Sequence, residues 1–192
     1  EIAYAPTELT VTEINTESSS VSLSWNAESR TENLYYASSI AGYSSLESDS
    51  GMIMAQKFPS SMLQQYGGVQ VEHVYFSVYN PEASCTISLY EGDKMQTGIL
   101  RHSGSITSTD AQQSIDNEVN PPVVINPDKD LWLTITTYDS LAYSNYPESN
   151  TNDAFLYRHP SVNYWSSVHG YAWSFQLGLN DAEHTYISRS EE

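Results

Sequence analysis

Apolar and polar positions alternate with a period of two along much of the chain, most clearly towards its C-terminal end. There Tyr171, Trp173, Phe175, Leu177 and Leu179 interleave with Ala172, Ser174, Gln176 and Gly178, the pattern of a strand with one dry and one wet face. The same period runs through Val21-Ser22-Leu23-Ser24-Trp25, Val74-Tyr75-Phe76-Ser77-Val78 and Leu131-Trp132-Leu133-Thr134-Ile135-Thr136, each rich in the β-branched and aromatic residues that suit a pleated surface. In chain order the pattern predicts strands near 8–14, 20–26, 33–38, 52–58, 69–79, 84–91, 97–107, 121–125, 130–138, 153–158 and 171–179. Short strands at this spacing belong to a sandwich or barrel.

One helix interrupts the series. Pro59-Ser60-Ser61-Met62-Leu63-Gln64-Gln65-Tyr66 has Pro at an early position, a narrow apolar face of Met62, Leu63 and Tyr66, and Gly67-Gly68 as a stop. Too short to stand alone, it is expected to dock over an open end of the β core. The βαβ alternation of a parallel nucleotide-binding sheet is absent, so the fold class expected is all-β, an antiparallel β-sandwich with one short helix. Two irregular stretches stand out. The polar run 26–33 suggests a boundary, with 1–30 as a strand pair or linker and 31–192 as the sandwich. The run 139–152, rich in Ser, Asn and Tyr, is long for a connection and is the expected site region.

Composition narrows the class. The 192 residues are 39% hydrophobic, 12% aromatic and 16% charged, too apolar for a disordered chain. Lys and Arg total 7 against 24 Asp and Glu, a net charge of −17, which leaves no basic footprint for nucleic acid or an anionic bilayer. No apolar run approaches the ~20 residues of a membrane span, so no membrane insertion is expected. At this charge any ligand is expected to be neutral, cationic or bridged by calcium. The single cysteine, Cys85, shares a strand face with Ile87 and Leu89 and reads as a buried thiol.

Chemistry-bearing motifs are scarce. None of His73, His102, His159, His169 and His184 stands at metal-ligand spacing from another, and His73 reads as a sheet-face residue. Asp128-Lys129-Asp130 after Pro127 reads as a turn into the next strand. The segment Glu148-Ser149-Asn150-Thr151-Asn152-Asp153 offers more oxygen ligands for calcium, and equally fits turns. There is no Gly-x-Ser-x-Gly elbow and no phosphate loop. A glycosidase needs two facing carboxylates, and among 24 acids sequence alone does not single out a pair.

Aromatics are the remaining signal: 15 Tyr and 4 Trp. Sugar rings stack their C–H faces on such side chains while Asn and Asp bond the hydroxyls. Trp25 and Trp173 read as core. The ligand-binding residues expected from the irregular regions are Tyr143, Tyr146, Asn150, Asn152, Asp153, Tyr164 and Trp165, with Tyr138 a further loop aromatic.

Pro6-Thr7-Glu8-Leu9-Thr10-Val11 followed by Ser20-Val21-Ser22-Leu23-Ser24-Trp25 resembles the first two strands of a fibronectin type III domain. A second resemblance is carried by Leu34-Tyr35-Tyr36, Met54-Ala55-Gln56-Lys57-Phe58, Met62-Leu63-Gln64-Gln65-Tyr66-Gly67-Gly68, Val74-Tyr75-Phe76, Ile87-Ser88-Leu89-Tyr90-Glu91-Gly92, Asp130-Leu131-Trp132-Leu133 and Tyr171-Ala172-Trp173-Ser174-Phe175. This stretch is similar to the jelly-roll domains of Bacteroidetes surface proteins of the cleaved-adhesin type. The likeness implies a jelly-roll β-sandwich, a place outside the cell or on the outer-membrane surface, and non-catalytic adhesion or glycan binding. Calcium is bound in some relatives. Those relatives tend to carry an acidic, Gly-rich turn after the first Tyr pair, where this chain has Ala37-Ser38-Ser39-Ile40-Ala41-Gly42, so no calcium ligand carries over and no other cofactor is implied. The expected partner is a glycan or a host or cell-surface protein, bound by a monomeric module of a larger assembly. The alternatives are a structural spacer and a glycan-acting hydrolase on the same scaffold.

Overall fold

The computed structural model describes residues 7–15, 20–26, 31–37, 39–44, 51–145, 154–159, 161–162, 164–168 and 170–180. Its strands are β1 (Thr7–Asn15), β2 (Ser20–Asn26), β3 (Thr31–Leu34), β4 (Gly42–Tyr43), β5 (Met52–Phe58), β6 (Gln70–Ser77), β7 (Ser84–Glu91) and β8 (Ile99–Thr107). They continue with β9 (Ser114–Val124), β10 (Leu131–Thr137), β11 (Ala142–Asn145), β12 (Phe155–Arg158), β13 (Ser166–Ser167), β14 (Tyr171–Trp173) and β15 (Gln176–Asn180). The helix α1 (Ser60–Leu63) runs into a 3-10 turn, Gln64–Tyr66.

Four strands form one sheet in the order β3-β15-β6-β9, and six form a second in the order β13-β12-β5-β10-β7-β8. Eight of these, β3, β5, β6, β7, β8, β9, β10 and β15, make a jelly roll: first pairs with eighth, second with seventh, third with sixth and fourth with fifth. This is one long antiparallel hairpin rolled so that alternate pairs fall in opposite sheets. A smaller sheet, β14-β11-β4, stands beside them, and β1 pairs with β2 in a separate ribbon. The side chains of that ribbon, Trp25 among them, lie outside the described residues.

The core lies between the two large sheets. Met54, Phe58, Ile87, Leu89, Leu133, Ile135 and Phe155 enter it from the long sheet, and Val71, Val74, Phe76, Leu177 and Leu179 from the short one. Trp173 is 1% exposed and its indole N–H donates to the Leu156 carbonyl at 3.1 Å, so it is the core residue its alternation predicts. Cys85 is likewise buried. Burial, and behind it the Asp139 charge, raise its thiol pKa, with a hydrogen bond to Thr137 pulling the other way.

Differences from the sequence pattern have local causes. The period at 171–179 predicts one strand, whereas two are found, broken at Ser174 and Phe175 where the chain passes from the small sheet to the four-stranded one. Val71 and Val74 are both buried although three positions apart, because between Val71 and His73 strand β6 has one residue more than β15, a bulge that flips the phase. Strand β9 begins at Ser114, well before the predicted 121: its outward Asp116 and Glu118 dilute the apolar signal, while Ile115, Val119 and Val123 face the core. The helix is capped from across the fold, the Ser60 amide donating to Asp130 Oδ1 at 2.7 Å. Its stop is a type II turn in which Val69 N–H reaches the Tyr66 carbonyl at 3.0 Å, with Gly68 at φ +84°.

Candidate functional site

Strands of the long sheet turn alternate residues away from the core, and register aligns them in rows. Arg158, Ile53 and Thr136 form one row, and Leu156, Ala55, Thr134 and Ser88 the next. Lys57, Trp132 and Tyr90 follow. On this outer face Ala55, Met95 and Trp132 make a second, small apolar cluster against which Tyr90, Leu156 and Trp165 pack. The Trp132 indole N–H donates to the Gly92 carbonyl at 3.0 Å, and Lys57 lies 5.4 Å above its ring.

Between these groups opens a pocket of about 330 Å³. Ile53, Ser88, Thr134 and Thr136 form its floor, Tyr90 and Met95 line one side, and Arg158 and Trp165 the other. Trp165 arrives there by a hairpin: β12 and β13 pair Leu156 with Ser167 and Tyr157 with Ser166, and one further step along that register sets Trp165 opposite Arg158. The Arg158 guanidinium lies 5.1 Å from the Trp165 ring centroid, a cation–π distance. Among the described residues Trp165 Nε1 and Arg158 Nε are both buried without a hydrogen-bond partner, which leaves their desolvation uncompensated there. Rings, hydroxyls and spare donors at one place are what recognition of a polyhydroxylated ring requires.

Of the residues expected from sequence, Trp165 lines this pocket, and Tyr164 beside it is 67% exposed and does not. Tyr143 is elsewhere. It belongs to β11, where its ring covers Gly42 and packs on Tyr171 with centroids 4.9 Å apart, so it supports the small sheet. Tyr146, Asn150, Asn152 and Asp153 lie outside the described residues. The run 139–152, expected to be irregular, contains β11, whose Ala142 and Ser144 are buried and whose Ser144 hydroxyl meets Ser174 Oγ at 2.8 Å and the Ser39 carbonyl.

Sequence reading missed Arg158, Tyr90 and the hydroxyls because their strands looked structural and the negative net charge drew attention from cations. Scarcity was the available signal: with 7 Lys and Arg in 192 residues, each one placed on a strand is informative.

Two other depressions are less suited to a ligand. One of about 400 Å³ on the four-stranded sheet is lined by His73, Tyr75, Glu72 and Asn180. Several of its polar groups are already engaged: His73 Nδ1 meets Asp116 Oδ1 at 2.6 Å, and Asn180 Nδ2 donates to Glu72 Oε2 at 2.9 Å. The other, about 320 Å³, is floored by Asp139, which accepts from the Asn80 amide and side chain at 2.8 and 2.6 Å. As for calcium, no group of three or more His, Cys, Asp or Glu suited to a metal is found among the described residues. Asp130 caps α1 and pairs with Lys57 at 3.8 Å, and Asp128 N–H donates to Asn126 Oδ1 at 3.0 Å, the turn its sequence predicts. Among the described residues no helix is long and apolar enough to cross a membrane.

No protein-family model matches the chain, and no curated protein does. Among solved structures it is similar to Cwp84, a surface-layer-associated protein of Clostridium difficile, in a crystal structure of its cysteine protease and lectin-like domains. The TM-score is 0.54 at 10% identity, covering 82% of this chain and 37% of that one. The likeness is one of fold. A second structure, of the clostridial cysteine protease Cwp84 after propeptide cleavage, matches with TM-score 0.54 and 11% identity over 82% of this chain and 42% of the other. The chain therefore spans less than half the length of either.

Proposed function

We propose that this chain is a non-catalytic, surface-exposed binding module that takes a glycan in the pocket on the outer face of its long sheet. The observation that carries the reading is the pairing of the Trp165 and Tyr90 rings over a floor of Ser88, Thr134 and Thr136 hydroxyls. A sugar stacks on the rings and exchanges hydrogen bonds with the hydroxyls, so affinity comes from aromatic contact and orientation from the floor. Among the described residues no Asp or Glu lines the pocket, and the hydrolase alternative would need two facing carboxylates there. Support for an extracellular or cell-surface setting comes from the fold neighbour, a surface-layer-associated protein with lectin-like domains. The finer assignment to cleaved-adhesin-type domains of Bacteroidetes rests on the packing residues of the sequence, and the jelly-roll strand order is compatible with it.

A glycan array probed with the protein and with Trp165→Ala, each with and without calcium, tests this. The protein is expected to bind a defined set of glycans, and Trp165→Ala to lose about 2- to 12-fold in affinity, since an aromatic contact is worth about 0.5–1.5 kcal/mol, with a cooperative melting transition showing that the variant is folded. Silence of the protein on the array in both conditions would leave the spacer alternative standing instead.

A further inference from the structure

Arg158 differs from the other described cations. Lys57, Arg101 and Lys129 each hold a carboxylate, at 3.8, 3.9 and 3.7 Å, and Lys94 is exposed. Arg158 is half-buried, with no carboxylate and no hydrogen-bond acceptor among the described residues, and its Nε is closed off from water. In a chain with 24 acids and 7 Lys and Arg, an internal partner was abundantly on offer. The cation–π contact with Trp165 supplies no carboxylate to the guanidinium, whose planar fork is shaped for one. Among the described residues the pocket around it contains hydroxyls and rings and no competing carboxylate.

We propose that the sugar held in this pocket is an acidic one, its carboxylate received by the Arg158 fork while its ring lies on Trp165. This rests on the glycan reading above and deepens it. The net charge of −17, which from composition argues against an anionic ligand, acts at long range and is screened over about 8 Å at physiological salt. At contact distance the Arg158 guanidinium outweighs it.

The experiment is an array carrying neutral, uronic-acid, sialic-acid and sulfated glycans, followed by calorimetric titration of the strongest carboxylated hit and of its carboxyl-reduced form. The acid is expected to bind about 10- to 100-fold tighter than the reduced glycan, the range of a bidentate charge-assisted contact. Arg158→Gln should erase that preference, bringing the acid and the reduced glycan within about twofold of one another, and Arg158→Lys should retain part of it. Melting curves check that both variants fold. Hits confined to neutral or to sulfated glycans, or a preference that survives in Arg158→Gln, would overturn the inference and leave the glycan reading intact. An array silent for every class would overturn both.

Discussion

Gly178 lies in β15 directly opposite His73 of β6, and Gly178→Ala tests the packing of the four-stranded sheet. A Cβ built at this position meets His73 Cβ at 2.8 Å, Tyr75 Cε2 at 2.8 Å and Tyr75 Oη at 3.2 Å. Two effects oppose one another. Gly178 has no positive φ, so alanine fits the backbone, and the loss of chain freedom in the unfolded state favours the variant by about 0.4–1 kcal/mol. Overpacking costs about 1–3 kcal/mol. The Tyr75 ring can swing aside, though it would carry with it the stack on His73, where the rings lie 5.8 Å apart and 8° from parallel. His73 Cβ is bound to the backbone and moves only with the strand. Overpacking therefore wins, and we expect a net loss of about 1–2 kcal/mol, or about 2–8 °C in melting temperature for a chain of this size. Urea unfolding followed by circular dichroism measures it. Combining Gly178→Ala with Tyr75→Ala should recover part of the loss, because that removes one of the two obstacles. A Gly178→Ala variant as stable as the parent, or more so, would mean that the two strands do not approach as described.

Two further outcomes concern titration and burial. The Cys85 thiol, held above its ordinary value of 9.0 chiefly by burial, is favoured in its neutral form by the fold. The stability this contributes is complete below the unfolded value and is lost as pH rises through the folded one. Native protein should accordingly resist a thiol reagent that reacts at once in urea, and Cys85→Ala should flatten the fall in stability as pH rises above the ordinary thiol value of 9.0. Rapid labelling of native protein would contradict the burial. His102 of β8 is the opposite case, with its pKa lowered from 6.5 by desolvation and its Nε2 buried without a partner. Its contribution is present above the unfolded value and lost as pH falls through the folded one, so His102→Gln should make stability less sensitive to acid below about pH 6.5. Parallel pH profiles of the two proteins would refute this.

Sequence alone carried the fold further than it carried the site, and the residues explain why. Strands β2, β5 and β7 have the predicted bounds, and along β7 Cys85, Ile87 and Leu89 face the core while Ser84 and Thr86 face outward. Alternation reports only which side of a strand is dry, so it fails where a bulge flips the phase, as at Val71 and His73, and where both faces are covered, as at Ala172 and Trp173. The two-residue strands β4 and β13 are too short to show a period at all. The pocket depends on which strands lie side by side: Arg158 and Thr136 flank Ile53 from β12 and β10, far apart in the chain and brought together by the roll. Trp165 was legible as a loop aromatic. Its partner Arg158, lying within a strand, carried no such mark.

The central claim is that the outer face of the long sheet is where a glycan binds, and Trp165 reports on it directly. In a nitrogen–proton correlation spectrum with the tryptophan indole signals assigned by Trp165→Phe and Trp173→Phe, titration with the strongest array hit should shift the Trp165 indole and leave that of Trp173, bonded to the Leu156 carbonyl within the core, where it was. A bound glycan that leaves the Trp165 indole unmoved would place recognition elsewhere on the molecule and contradict the account.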